Sequence, residues 1–123
     1  MSAFSPAQMF ALDQACKPIR EAFPAAHGPY LVGTGTTRGG YRDVDVRLIL
    51  PDDYYADVER ALGRDAVTLL ALAISAYLAA ATGLPIDFQF QQFTLANEHL
   101  GMRNPLGMRS LGHYVGDARP EVK

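Results

Sequence analysis

Arg42-Asp43-Val44-Asp45-Val46-Arg47-Leu48-Ile49-Leu50 alternates charged and apolar side chains before ending in an apolar run, and that alternation is the period of a β-strand. Successive side chains on a strand point to opposite faces, so Asp43 and Asp45 project from one face, with Arg47 beside them. Two carboxylates at this spacing repel unless something positive sits between them. Acid clusters of this kind hold divalent cations in many proteins, and Mg²⁺ prefers a few carboxylates plus phosphate oxygens. On an edge strand the same pair is simply solvated surface charge. The neighbouring sequence bears on which reading applies.

Downstream, Pro85 introduces a second alternation, Ile86-Asp87-Phe88-Gln89-Phe90-Gln91. Ile86, Phe88 and Phe90 share one face; Asp87, Gln89 and Gln91 share the other. The two runs can build one sheet, with Val44, Val46, Leu48, Phe88 and Phe90 facing helices. Asp43, Asp45, Arg47, Asp87, Gln89 and Gln91 would then face a polar cleft. Upstream, His27-Gly28-Pro29 reads as a break and Tyr30-Leu31-Val32 as a short strand. That strand runs into Gly33-Thr34-Gly35-Thr36-Thr37-Arg38-Gly39-Gly40, a loop rich in glycine and threonine.

Helical signals fill the remainder. Ser5-Pro6 is a helix start, with Ser as N-cap and Pro at the first position. Pro18 should kink or end the first helix. Pro51-Asp52-Asp53 opens a short helix that Gly63 closes, and Asp65 is placed to cap the next. Ala66 to Thr82 is almost wholly apolar and alanine-rich. It falls short of the ~20 residues of a membrane span, so the expectation is a buried central helix that packs closely, with Gly83 as its stop. The fold class expected is α/β (α+β): a small mixed sheet backed by helices. Residues 1–100 form the domain and 101–123 an extended tail, laid over the domain or over a partner, with Thr94 to Leu100 a helical turn or short helix at the join.

Composition sets limits on function. The chain has 123 residues, enough for one domain with a core and too few for two. Its net charge of -2 argues against a dedicated nucleic-acid binder. The lone Cys16 excludes an internal disulfide and the multi-cysteine zinc sites. His27, His99 and His113 show no metal-ligand spacing. With no signal peptide legible near Asp13 and Lys17, the expected location is the cytoplasm, without a membrane.

Three features follow one another: a strand ending in Gly33-Thr34, a strand bearing Asp43 and Asp45, and a later strand bearing Asp87. A Gly-Thr turn lets backbone approach a phosphate and offers it N–H groups and a hydroxyl. Two aspartates on one strand can bridge two metal ions, and a third can complete the site and accept the proton of an attacking hydroxyl.

Leu31-Val32-Gly33-Thr34, Asp43-Val44-Asp45-Val46 and Ile86-Asp87-Phe88 together resemble the signature of the polymerase-beta-type nucleotidyltransferase superfamily, and in particular its minimal members. The resemblance covers Tyr30 to Gln91, and short proteins of this type from actinobacteria and their phages carry similar runs. It implies Mg²⁺- or Mn²⁺-dependent transfer of a nucleotidyl group from an NTP, ATP first among them, to an acceptor hydroxyl. By the same resemblance Gly33 and Thr34 would contact nucleotide phosphates, Asp43 and Asp45 would ligate the metals, and Asp87 would be the third acid. Thr34 stands where the family usually has Ser. The Gly35 to Arg42 connection is short for the family, and no C-terminal helical domain is evident. These departures point to the alternative of an inactive member of the fold that binds a nucleotide or a protein.

Arg47 bears on both readings: it could bind a phosphate, or pair with an aspartate and take the place of a metal. Arg38 and Arg42 flank the loop, as triphosphate ligands or as solvated charge. The loop lacks the Gly-Lys-Ser/Thr ending of a P-loop. Cys16, on a helix with no histidine placed near it, reads as a buried structural thiol. Glu98-His99 reads as surface. Arg103, Arg109 and Arg119 make the tail mildly basic, solvated or in contact with a protein partner, a second copy or a nucleic acid.

Overall fold

The computed structural model describes residues 5–33, 44–98 and 101–108. Among the described residues five helices, α1 (Pro6–Ala15), α2 (Lys17–Ala22), α3 (Asp52–Leu62), α4 (Arg64–Thr82) and α5 (Phe93–Ala96), accompany four strands, β1 (His27–Val32), β2 (Val44–Leu50), β3 (Ile86–Gln92) and β4 (Arg103–Pro105). The strands form one mixed sheet in the order β3-β2-β1-β4. β1 is antiparallel to β2 and β4, whereas β2 and β3 are parallel. A parallel pair needs a long crossover, and α3 and α4 supply it. The expected class, a small mixed sheet backed by helices, is the class observed.

The two alternating runs set the sheet's faces. Val44, Val46, Leu48 and Phe88 are buried with Leu12, Ile19, Leu78 and Leu84 from the helical side. Register pairs Val46 with Phe88 and Asp45 with Asp87, so the apolar and polar residues of both strands segregate as their alternation requires. Ser5 closes a capping box with Gln8, its hydroxyl accepting the Gln8 N–H at 3.1 Å. Pro18 lies in the first turn of α2, and the chain breaks between α1 and α2 at Cys16.

Three expectations change. The His27-Gly28-Pro29 break lies inside β1, whose register with β2 shifts between His27 and Tyr30. Gly28 accommodates that irregularity at φ 105°, where a Cβ would stand 3.1 Å from the Arg47 carbonyl oxygen. Asp65 is not the cap of α4, which starts at Arg64; Asp65 lies in the first turn, where an acid favours the helix dipole. The alanine-rich helix is not buried. Only Leu78 and Thr82 of α4 are, while Leu69 and Leu72 are 67% and 62% exposed. The reason is position: α4 packs on β3, an edge strand of the sheet, and on α1 and α3 beside it, and its far side meets no further layer. It is the one helix among the described residues long and apolar enough to cross a membrane. One face of it nevertheless closes the core, and its Ser75 hydroxyl accepts the Phe88 N–H at 2.9 Å.

The first part of the tail lies along the domain. Arg103–Pro105 joins the sheet beside β1, and Leu106 is fully buried. Arg20 donates to the Leu106 carbonyl at 3.1 and 3.3 Å, and the Gly107 N–H donates to buried Asp13 Oδ1 at 2.8 Å. Gly107 holds φ 78° against the Cys16 carbonyl, where a Cβ would come within 3.0 Å. Residues 109–123 lie outside the described residues.

Asp52, at the start of α3, ties that helix to α5. Its carboxylate accepts the Thr94 hydroxyl and, at 2.9 Å, the Thr94 N–H. The hydroxyl bond first, then the amide bond, holds the Asp52 carboxyl below its ordinary value of 3.8. A carboxyl lowered on folding stabilises above its ordinary pKa, and that contribution disappears as pH falls through the lowered value. Asp52→Asn should therefore be less stable than wild type at neutral pH, and the gap should close in acid, below about 3.8. Urea unfolding across a pH series measures the gap; one that stays constant into acid would refute a carboxylate tie.

Candidate functional site

The polar face of the sheet carries the site. Asp45 on β2 and Asp87 on β3 are register partners, and Arg47 lies two residues along β2 from Asp45. The Arg47 side chain is 11% exposed, and its Nη2 stands 3.6 Å from Asp45 Oδ1 and 3.4 Å from Asp87 Oδ2. Its Nη1 donates to the backbone oxygens of Asp87 at 2.7 Å and Val46 at 3.1 Å. Both ends of the guanidinium fork are thus committed, to carboxylates on one side and carbonyls on the other. The Gln89 amide adds contacts to the Asp87 carboxylate at 3.3 and 3.4 Å.

β1 brings the predicted turn to the same place. Val32 is the register partner of Asp45, and Gly33 follows it at φ 69°, a left-handed conformation that favours glycine. Gly33, Arg47, Gln91, Ala96, Met102 and Arg103 are among the residues lining a cavity of about 210 Å³. Arg103 has no place in the sequence reading of the site. β4 carries it beside Val32, where its Nη2 donates to the Ala96 carbonyl at 2.9 Å and its guanidinium carbon lies 5.9 Å from the Tyr30 ring centre. Its segment has no alternation, so no sequence signal marked it. α5 closes one flank, with Ala96 buried and the Phe93 ring 5.5 Å from that of His27.

Of the residues singled out by sequence, Gly33, Asp45 and Asp87 share this face with Arg47. Thr34, Arg38, Arg42 and Asp43 lie outside the described residues, as does His99. Mg²⁺ takes oxygen ligands at about 2.0–2.1 Å in octahedral geometry, and Mn²⁺ likewise suits hard oxygen donors. The described donor set does not fit such an ion: the Asp45 and Asp87 carboxylates converge on a guanidinium. Among the described residues no three His, Cys, Asp or Glu side chains gather as a metal site.

Cys16 offers no nucleophile. The thiol is fully buried, and burial first, with the Asp13 charge second, pushes its pKa up to about 12.

A second hollow, of about 330 Å³, lies between α4 and β3 and is walled by Tyr55, Val67, Ala71 and Phe90 among others. Asp87 borders this hollow and not the smaller cavity, with Gln89, Thr68 and Ser75 as the other polar residues of its wall. No protein-family model matches the chain, and no curated protein or solved structure is found similar to it.

Proposed function

We propose that this chain is a binding module, not a transferase: a nucleotidyltransferase-like core that receives the phosphate end of a nucleotide in the cavity beside Gly33. The observation that carries this reading is Arg47, clamped between the two carboxylates that a transferase would turn toward metal. Arg47 is thereby committed, and Arg103 in the lining of the same cavity brings the guanidinium group that suits phosphate oxygens. A volume of about 210 Å³ suits a phosphate group and falls below that of pockets enclosing a whole drug-sized ligand. The nucleoside would lie outside it. The protein would work in the cytoplasm, where nucleotides are plentiful and a lone thiol stays reduced.

Metal-dependent nucleotidyl transfer is the second reading. It is favoured by one observation, the register that sets Asp45 beside Asp87. Calorimetric titration of ATP separates the two. The binding module takes ATP equally in EDTA and in Mg²⁺, and Arg103→Met weakens it by tenfold or more, ~1.4 kcal/mol or above. ATP binding that requires Mg²⁺ and is abolished by Asp45→Ala would establish the transferase reading instead. Absence of binding by any NTP would sink both.

A further inference from the structure

The two edges of the sheet end differently. β4 spans three residues and finishes in Pro105, which has no N–H to offer, so that edge is short and blunted. β3, at the other edge, spans seven residues, Ile-Asp-Phe-Gln-Phe-Gln-Gln, with no proline and no lysine. In a parallel pair, successive residues turn their N–H and C=O alternately toward and away from the neighbouring strand. The Pro85 carbonyl accepts the Val44 N–H at 2.6 Å, so Asp87, Gln89 and Gln91 also turn toward β2. Phe88 and Phe90 turn outward. Ser75 of α4 takes up the Phe88 N–H at 2.9 Å. Past that bond, the Phe88 carbonyl and both backbone groups of Phe90 meet no partner among the described residues.

This open stretch borders the larger hollow, about 330 Å³ between α4 and β3, with Tyr55, Val67, Ala71 and Phe90 in its wall. Unpaired backbone beside a side-chain hollow has one chemical complement, an extended polypeptide. Its main chain pairs with the edge while alternate side chains enter the pocket. We propose that this groove binds an extended segment of a partner protein, added to the sheet as a fifth strand beside β3, with an apolar side chain in the hollow. The intervening side chains of the added strand lie over the polar face of the sheet. There Asp45 and Asp87 share the single Arg47 guanidinium, which leaves a surplus negative charge. A lysine or arginine opposite Gln89 reaches the Asp87 carboxylate across the diagonal. The segment is therefore apolar and basic at alternate positions.

A second copy pairing β3 with β3 does not meet the same need. It satisfies the backbone but brings no side chain for the hollow. Phe88 and Phe90 are held in their own core, edge-on to each other at 5.1 Å, with Phe90 5.5 Å from Phe23. Neither ring can leave for a neighbour's pocket without opening that core. The pairing also supplies no positive charge, because β3 carries Asp87 and no base.

Amide hydrogen exchange on the full chain, read by NMR, tests the proposal. The probes are capped heptapeptides that alternate lysine with one apolar residue: alanine, valine, leucine or phenylalanine. In the free, dilute chain the Phe90 amide should exchange fast, while those of Gln89 and Gln91 are protected by β2. Excess leucine or phenylalanine peptide should slow Phe90 exchange tenfold or more. The same peptide with every backbone nitrogen methylated keeps its side chains and should protect nothing. Replacing its lysines by glutamate should weaken binding at least tenfold. Thr68→Trp should abolish the protection at an unchanged melting temperature, because Thr68 is an exposed residue in the wall of the hollow. The groove is overturned by a Phe90 amide already protected in the dilute chain, or by no protection from any of the peptides at millimolar concentration. Protection by the methylated peptide, or binding untouched by Thr68→Trp, would overturn it equally. Phe90 protection that appears only as the chain itself is concentrated would assign the edge to a second copy and refute the partner segment.

Discussion

Phe88→Ala should cost the fold about 3–5 kcal/mol, the range of a buried aromatic cut back to a methyl. Phe88 is 1% exposed and is the largest fully buried side chain among the described residues. It stands beside fully buried Val46 in the parallel register, and its ring meets Phe90 edge-on at 5.1 Å. Phe90 in turn meets Phe23 at 5.5 Å, so the aromatic contacts run from β3 to the end of α2. The cavity could close only if α4 moved inward, and the hydrogen bond from Phe88 N–H to Ser75 resists that shift. Domains of this size are stable by only ~5–15 kcal/mol. Urea unfolding should show the midpoint falling sharply at unchanged slope. Phe93→Ala, at 42% exposure, serves as the comparison and should cost under ~1 kcal/mol. Near-equal losses at the two positions would contradict this account of the core.

Arg47→Met should destabilise by ~2 kcal/mol and make the domain responsive to Mg²⁺. The methionine keeps the apolar stem and removes the guanidinium. Asp45 and Asp87 then face each other across adjacent strands without a cation, and the Asp87 carbonyl loses its donor. Breaking a fully buried pair costs roughly 3–5 kcal/mol. Here the carboxylates are 43% and 37% exposed, and water screening lowers the figure to ~2 kcal/mol. With the guanidinium gone, the space between the carboxylates becomes available to a small cation. Millimolar Mg²⁺ should therefore raise the melting temperature of Arg47→Met by several degrees and leave wild type unmoved, as differential scanning fluorimetry with and without EDTA would read. An unchanged stability in Arg47→Met would mean the ion pairs are incidental. A Mg²⁺ response in wild type would mean that the guanidinium gives way to metal.

The sheet was legible where alternation was strong. Val44 to Leu50 and Ile86 to Gln91 announce both strands and both faces, because each is apolar on one side and polar on the other. The parallel register then places Asp45 beside Asp87 without further information. β4 was illegible for the opposite reason: Arg103-Asn104-Pro105 has no period, and only the bare edge of β1 makes it a strand. That also hid Arg103 from the site. The alanine-rich helix was legible as a helix but not in its burial. Composition records how apolar a segment is, whereas burial depends on how many layers surround it, and a four-stranded sheet places α4 over its rim. Arg47 was legible as a neighbour of the aspartates. Which partner it takes depends on a strand 40 residues later, and no local pattern encodes that distance.

The late closure of the sheet has a consequence for how the chain is made. By the time Gln92 leaves the ribosome, all of β1, β2 and β3 has been synthesised. Leu106 is 14 residues further on, on the order of a second at ~5–20 residues per second. During that interval Arg20 lacks the Leu106 carbonyl, buried Asp13 lacks the Gly107 amide, and the outer edge of β1 is open to any strand that reaches it. A nascent chain stalled in this stretch, or one cut before Arg103, would present an unpaired strand next to an unfilled apolar core. The eight residues from Gly101 to Met108 thus act as a seal on the β1 edge and on the core beneath it.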